Sequence, residues 1–190
     1  CSAKRIIRSE SFEVLGGLFS EISEIIGGTL PLDAQMESIL SKSGMHLGAH
    51  RGYIFEIDDL VHLHNSIEWV GDKNISYKHL FQHLIFDDAF AGWQKILAQG
   101  GYILTYPGQE GDSLFPPVFR NKEDRSLVFP LIVKTQLYGF VGFDLPIENP
   151  VGVGDAIFAA VQLLASIIEG LIELNMFVHQ ADQLSSQVEL

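Results

Sequence analysis

Apolar residues recur at helical spacing close to the start of the chain. Phe12, Leu15, Phe19, Ile22 and Ile26 step by 3, 4, 3 and 4 and predict one buried stripe, which Gly27-Gly28 ends. A second helix is expected from Pro31, with Leu32, Met36, Ile39, Leu40 and Leu47 on its buried side and Gly44 or Gly48 as its stop. The period then changes to two. Tyr53, Phe55 and Ile57 alternate with Ile54, Glu56 and Asp58; after the Asp58-Asp59 turn, Val61, Leu63, Asn65, Ile67 and Trp69 alternate with His62, His64, Ser66 and Glu68. This reads as an antiparallel hairpin with all five residues of the second set on one face.

Residues 76–99 read as helical in two pieces broken near Asp87-Asp88, with Trp93, Ile96 and Leu97 anchoring the second. Tyr102 to Thr105 is a short strand. The Pro- and Gly-containing stretch from Tyr106 to Asp124 is a long loop, of the kind that often faces a ligand. Two apolar strands follow, Ser126–Val133 and Leu137–Leu145, joined at Lys134-Thr135-Gln136; Gly139 and Gly142 in the second mark close backbone approach or a bulge. From about Gly154 the stripe Ile157, Val161, Leu164, Ile168, Leu171 continues less regularly through Leu174, Val178, Ala181, Leu184 and Val188. A helix this long outlasts the domain it packs on and predicts a coiled coil or a connection to a further domain. The order of elements predicts an α+β fold: an antiparallel sheet of five to six strands with helices on both faces.

Composition narrows the function. With 190 residues, 47% of them apolar, the chain suits one domain with a full core. The formal net charge of −12 argues against nucleic acid and against an anionic membrane surface, and leaves a small molecule or a protein partner. The oily region from Ala156 to Leu174 is broken by Gln162, Ser166, Glu169 and Glu173 at helical spacing, so it reads as amphipathic, without membrane contact. No secretory signal is visible, which sets the expected location as cytoplasmic. The absence of an initiating Met and an end inside a helical pattern lead to the expectation of a piece of a longer protein. Its expected parts are an N-terminal dimerisation helix (1–29), a central domain (30–174) and a helical linker (175–190).

Five ordered motifs resemble a GAF domain: the Met36–Leu47 helix with Arg51-Gly-Tyr-Ile-Phe-Glu-Ile57, Ser66-Ile-Glu-Trp-Val70, Trp93-Gln-Lys-Ile-Leu-Ala-Gln-Gly100, Arg125-Ser-Leu-Val-Phe-Pro130 and Gly139-Phe-Val-Gly-Phe-Asp144. The second is similar to a bacterial and archaeal subgroup with a Ser-x-Glu-Trp pattern. The resemblance, which is to a PAS-related fold, implies a six-stranded antiparallel sheet with the first and last helices packed together on one face. The middle helices and the long loop would enclose a pocket on the other. It also implies a non-catalytic sensory module of a signalling protein such as a sensor histidine kinase.

Candidate chemistry is sparse. The single cysteine, Cys1, lies outside the motifs, so no covalent bilin and no thiol-based reductase site is expected. Asn121-Lys-Glu-Asp124 shares only the start of a cyclic-nucleotide signature. No nucleophile elbow, phosphate loop or metalloprotease motif occurs. Trp69, His83, Phe86, Trp93, Phe115, Phe119 and Asp144 are candidates for a ligand pocket, with ordinary core packing as the plainer account of the aromatics and a strand-edge role for Asp144 and Glu68. His79 and His83, spaced i, i+4 on the expected helix, are a candidate pair for metal or haem, as are His62 and His64 on a strand face; solvated or satisfied imidazoles are the plainer account. Phe12, Leu15, Phe19, Ile22, Ile168, Leu171 and Val178 are candidates for a homodimer interface and signal relay through the terminal helices. Three readings stay open: a ligand-responsive sensor, a module that only dimerises, and a histidine-ligated haem or metal sensor. The cofactor is unknown.

Overall fold

A computed structural model describes residues 15–59, 61–72, 75–86, 92–106, 124–147 and 155–188. The elements are α1 (residues 15–26), α2 (Leu32–Leu47), β1 (Arg51–Asp58), β2 (His62–Val70), a 3-10 turn (Lys78–Leu80), β3 (Leu84–Ile85), α3 (Trp93–Ala98), β4 (Ile103–Leu104), β5 (Asp124–Val133), β6 (Gln136–Pro146) and α4 (Asp155–Val188). The strands form one six-stranded sheet in the order β3-β2-β1-β6-β5-β4, and every pairing is antiparallel. The fold class is the expected α+β.

The sheet separates two cores. On one face α1, α2 and α4 pack against Ile54, Ile67, Leu127, Phe129, Leu131, Val141 and Phe143. On the other, α3 and the segment around β3 cover Tyr53, Phe55, Leu63, Val128 and Phe140. Strand alternation sorts the side chains: Ile54 and Val141 go one way, Tyr53, Phe55 and Phe140 the other. The α4 stripe Ile157, Val161, Leu164, Ile168 and Leu171 is buried as its spacing requires. In α1 the stripe is turned from its expected centre. Leu18 and Ile22 are buried, Leu15, Phe19 and Ile25 pack at the margin, and Ile26 is exposed. A carboxylate ties α1 to α2: Glu21 meets Lys42 at 2.8 Å and His46 at 3.3 Å.

Two expectations are corrected. The stretch before Phe86 is not an α-helix. A 3-10 turn leads to the two-residue strand β3, which is the sixth strand. His83 there takes a positive φ of 57°, which no helix tolerates. The second correction concerns β2. The ladder pairs Ile54 with Ile67 but Phe55 with Asn65, so Ser66 is the extra residue of a β-bulge. One extra residue reverses the alternation. Leu63 lies with the α3 core and Ile67 with the helical core, although they share a sequence period. Asn65, almost fully buried, pins the bulge: with its side-chain amide in the orientation that satisfies both its oxygen and its nitrogen, the nitrogen donates to Ile67 O at 2.8 Å and Ile54 O at 3.1 Å. Ser66 Oγ donates to Ile54 O at 3.3 Å.

Two glycines of β6 fit the expected close approach. A Cβ on Gly139 would lie 1.9 Å from the Phe55 carbonyl oxygen, and one on Gly142 would enter the Tyr53 ring at 2.4 Å.

Candidate functional site

The α3 face of the sheet carries the candidate site. Ladder pairing sets Arg51 opposite Asp144 and Asp144 opposite Ser126, so three strands place one polar row side by side. The next row is Tyr53, Gly142 and Val128, and the one beyond is Phe55, Phe140 and Pro130. Gly142, lacking a side chain, lets the Tyr53 ring lie flat across it and send its hydroxyl to the polar row.

Asp144 is the hub. Its Oδ2 accepts from Arg51 Nε at 2.8 Å and lies 2.7 Å from the Arg51 terminal nitrogen; its Oδ1 accepts from Ser126 Oγ at 2.6 Å and Tyr53 OH at 3.3 Å. Arg51 also reaches Glu68 at 3.5 Å. Tyr53 and Tyr77 lie 5.0 and 5.2 Å from its guanidinium carbon, close enough for cation–π attraction. Burial works against the Arg51 charge, but Asp144, Tyr53 and Glu68 together outweigh it and hold the guanidinium above its ordinary value. Burial, and then the neighbouring Asp144 charge, push the Tyr53 phenol well above its ordinary range, so it acts as a donor. Two carboxylates face one guanidinium, so the row is a compact, mostly satisfied ionic cluster.

Glu68 has a second task. Its carboxylate accepts the Tyr77 and Lys78 backbone amides, each at 3.1 Å, and the Ser76 hydroxyl. It thereby caps the 3-10 turn and folds that segment over Arg51. Beyond the polar row lies an aromatic floor. Phe55 and Phe140 stack at 4.9 Å, Phe81 meets Phe55 edge-on at 5.6 Å, and Trp93 meets Phe140 edge-on at 5.9 Å.

The structure brings Phe86, Trp93 and Asp144 together on this face, all nearly inaccessible to solvent. Trp69 is not with them. The bulge turns it to the helical face, against Gly44 of α2, so no cavity is shared by Trp69 and Trp93. His83 is exposed beside β3, and His79 is exposed in the 3-10 turn, so the two do not share a helix face. His62 pairs with Asp59 at 3.0 Å and His64 with Asp58 at 2.9 Å. Among the described residues no group of three His, Cys, Asp or Glu is arranged to hold a metal ion. Phe12, Phe115 and Phe119 lie outside the described residues. Arg51, Tyr53 and Ser126 were not singled out from sequence. The signal was the strand register, since a buried arginine two residues before an inward Tyr needs a carboxylate opposite it. A separate cleft of about 400 Å³ beside α2 and β2 is lined by Asp33, Glu37, Glu56, His64, Ser66 and Lys78 among others.

Within residues 156–186 of α4, an 18-residue window reaches a mean hydropathy of 1.9, so by length and composition the helix is long and apolar enough to cross a membrane. Its first half is part of the helical core.

This arrangement of sheet and helices is the GAF fold. The chain is similar to the phycocyanobilin-bound GAF domain of a cyanobacterial phytochrome (TM-score 0.69, 16% identity, 89% of this chain and 97% of that one). It is likewise similar to the blue-light absorbing form of the PixJ GAF domain of Thermosynechococcus elongatus (0.65, 18% identity, 80% and 90%). A third likeness is to a GAF domain/HD domain protein from Geobacter sulfurreducens (0.62, 19% identity, 78% and 96%). No family model and no curated protein matches the sequence. None of these likenesses confirms a subgroup for the Ser66-x-Glu68-Trp69 pattern.

Proposed function

We propose that the chain is a non-catalytic, cytoplasmic sensory module of a signal-transduction protein, which takes a small molecule on its α3 face and relays occupancy through α4 in a homodimer. The observation that carries this reading is the division of α4. It is one helix of 34 residues whose first half is core and whose second half exposes Leu174, Phe177, Val178 and Leu184. Apolar side chains standing on a helix that has left its own domain call for a partner, and a second copy supplies matching ones. An output domain, such as a histidine kinase, would follow such a helix. The α3 face supports the sensing half: aromatic rings beside a few convergent polar groups are the usual make-up of a small-molecule site.

The phytochrome relative holds phycocyanobilin. In this chain the only cysteine is Cys1, far along the sequence from the α3 face, so covalent attachment there is not part of the reading.

A second reading is a module that dimerises without ligand. Ring-to-ring packing of Phe55, Phe81, Trp93 and Phe140 favours it, because these rings fill one another's space. Native mass spectrometry of the gently purified protein separates the two. A retained small molecule that Asp144→Asn, still folded by circular dichroism, releases supports sensing; a clean dimer mass, with no molecule retained, favours the second reading.

A further inference from the structure

Among the described residues, β4 pairs with the outer edge of β5 only at Leu127 and Val128, with Thr105 bonded to Ser126. Beyond that, the outward positions are Pro130 and Ile132 of β5 and Lys134 of the turn that follows it. Pro130 has no N–H to offer. The other two amides are taken by α4: Ile132 N–H donates to Glu169 Oε1 at 2.6 Å, and Lys134 N–H donates to Glu173 Oε1 at 3.0 Å.

The two periods match. Residues four apart on a helix are separated by ~6 Å along its axis, and residues two apart on a strand by ~6.6 Å. Two glutamates at i, i+4 can therefore grip two successive outward amides only when the helix stands at one height along the strand. A one-residue slide, of ~1.5 Å, also rotates each carboxylate by ~100° and breaks both bonds.

The gripped end is a strained one. Lys134 and Thr135, the two residues of the β5–β6 turn, take φ of 47° and 67°. This is the left-handed region, which two-residue hairpins normally fill with Asn and Gly. A β-branched Thr there is held against its preference, as at sites where surrounding structure over-determines the backbone. The ladder also shifts beside it, between Leu131 and Ile132.

We propose that Glu169 and Glu173 form a register latch, which fixes the height and rotation of α4 against the β5–β6 hairpin and is the joint through which the sheet moves the helix. The same hairpin carries Ser126 and Asp144 at its other end, so one ladder, with a register shift at Leu131/Ile132, connects the polar row to the latch. This inference rests on the reading of α4 as the relay, and it names the contact that performs it.

The test is amide hydrogen exchange by NMR on the whole chain, comparing Glu169→Ala/Glu173→Ala with Glu169→Gln/Glu173→Gln. A glutamine oxygen still accepts an N–H, so the Gln pair keeps the latch, and far-UV circular dichroism verifies that both variants fold. The latch predicts that the Ala pair speeds exchange at Ile132 and Lys134 at least tenfold. It also predicts a several-fold loss of protection in α4 beyond Glu173, with the Gln pair close to wild type. Unchanged exchange at the two amides overturns the proposal. So does loss of protection at the amides alone, since the glutamates would then only cap a sheet edge. Failure to find a dimer or a ligand would remove the sensory reading while leaving this result intact.

Discussion

Gly44 of α2 is seated on the indole of Trp69: a Cβ added to Gly44 would lie 2.1 Å from Cζ3 and 2.3 Å from Cε3. This contact is what the Ser66 bulge achieves, because without it Trp69 would point at the α3 core. Gly44→Ala should cost about 1–3 kcal/mol, as overpacking does. Gly170→Ala in α4 meets nothing within 4 Å and should stabilise by about 0.5–1 kcal/mol through helix propensity. Urea unfolding of both variants checks the pair; a neutral Gly44→Ala would show that Trp69 is free to leave α2.

The bulge itself depends on Asn65. Asn65→Leu takes a side-chain donor from the Ile67 and Ile54 carbonyls, of which Ile54 keeps the Ser66 hydroxyl, and it should destabilise by about 1–3 kcal/mol. If the bulge is lost, Trp69 moves, and its fluorescence shifts with it. An unchanged unfolding midpoint and spectrum would count against the pinning role.

Breaking one side of the polar row should be worse than breaking both. Asp144→Ala leaves Arg51 buried beside Glu68 alone and should cost about 3–5 kcal/mol. Arg51→Met/Asp144→Leu removes both charges and should cost less than the single change, by the same reasoning. Denaturant titrations of the two variants decide it; additive or larger losses in the double variant would contradict the account.

The Glu169 carboxyl is pushed above its ordinary range by burial, and also by the nearby Glu173, against the Ile132 N–H bond that favours its charge. A raised folded-state value means that its contribution to stability is full below the unfolded value. That contribution falls away as pH rises through the folded one. Stability measured against Glu169→Gln should therefore decline as pH rises from below the ordinary glutamate range through the raised value, then level off. A difference that instead grows with pH would mean that the Ile132 bond outweighs burial.

Much of this architecture was readable beforehand, because long periodic segments carry their own burial pattern. The α4 stripe, the α2 stripe and the β5–β6 hairpin follow from spacing alone. Gly139 and Gly142 were legible as sites of close approach or of a bulge, since a glycine inside an apolar strand packs no side chain of its own. The bulge was not legible. Asn65-Ser66 looks like any alternating pair, and only the partner strand shows that one residue is extra, which moved Trp69 to the wrong face. The β3 segment was equally hidden, as His79 and His83 match a helical spacing by accident. The polar row was legible in part: Asp144 stood out in its motif, while its partner Arg51 lies 93 residues away and is joined to it only by register.

The surplus apolar face of α4 predicts self-association. Phe177→Glu and Leu184→Glu, at positions exposed within one chain, should shift a dimer to monomer while leaving the unfolding of the domain core nearly unchanged. Sedimentation equilibrium across concentration reads this, and a wild-type chain that stays monomeric would remove the dimeric relay.

The most direct test of the central claim, that the Arg51–Asp144 face is coupled to α4, is hydrogen exchange by mass spectrometry on wild type and Asp144→Asn. The substitution keeps the shape of the polar row and removes its charge. The account predicts a several-fold change in exchange along 174–186 of α4 together with changes in β1, β5 and β6. Changes confined to the three strands, with α4 exchanging as in wild type, would contradict it.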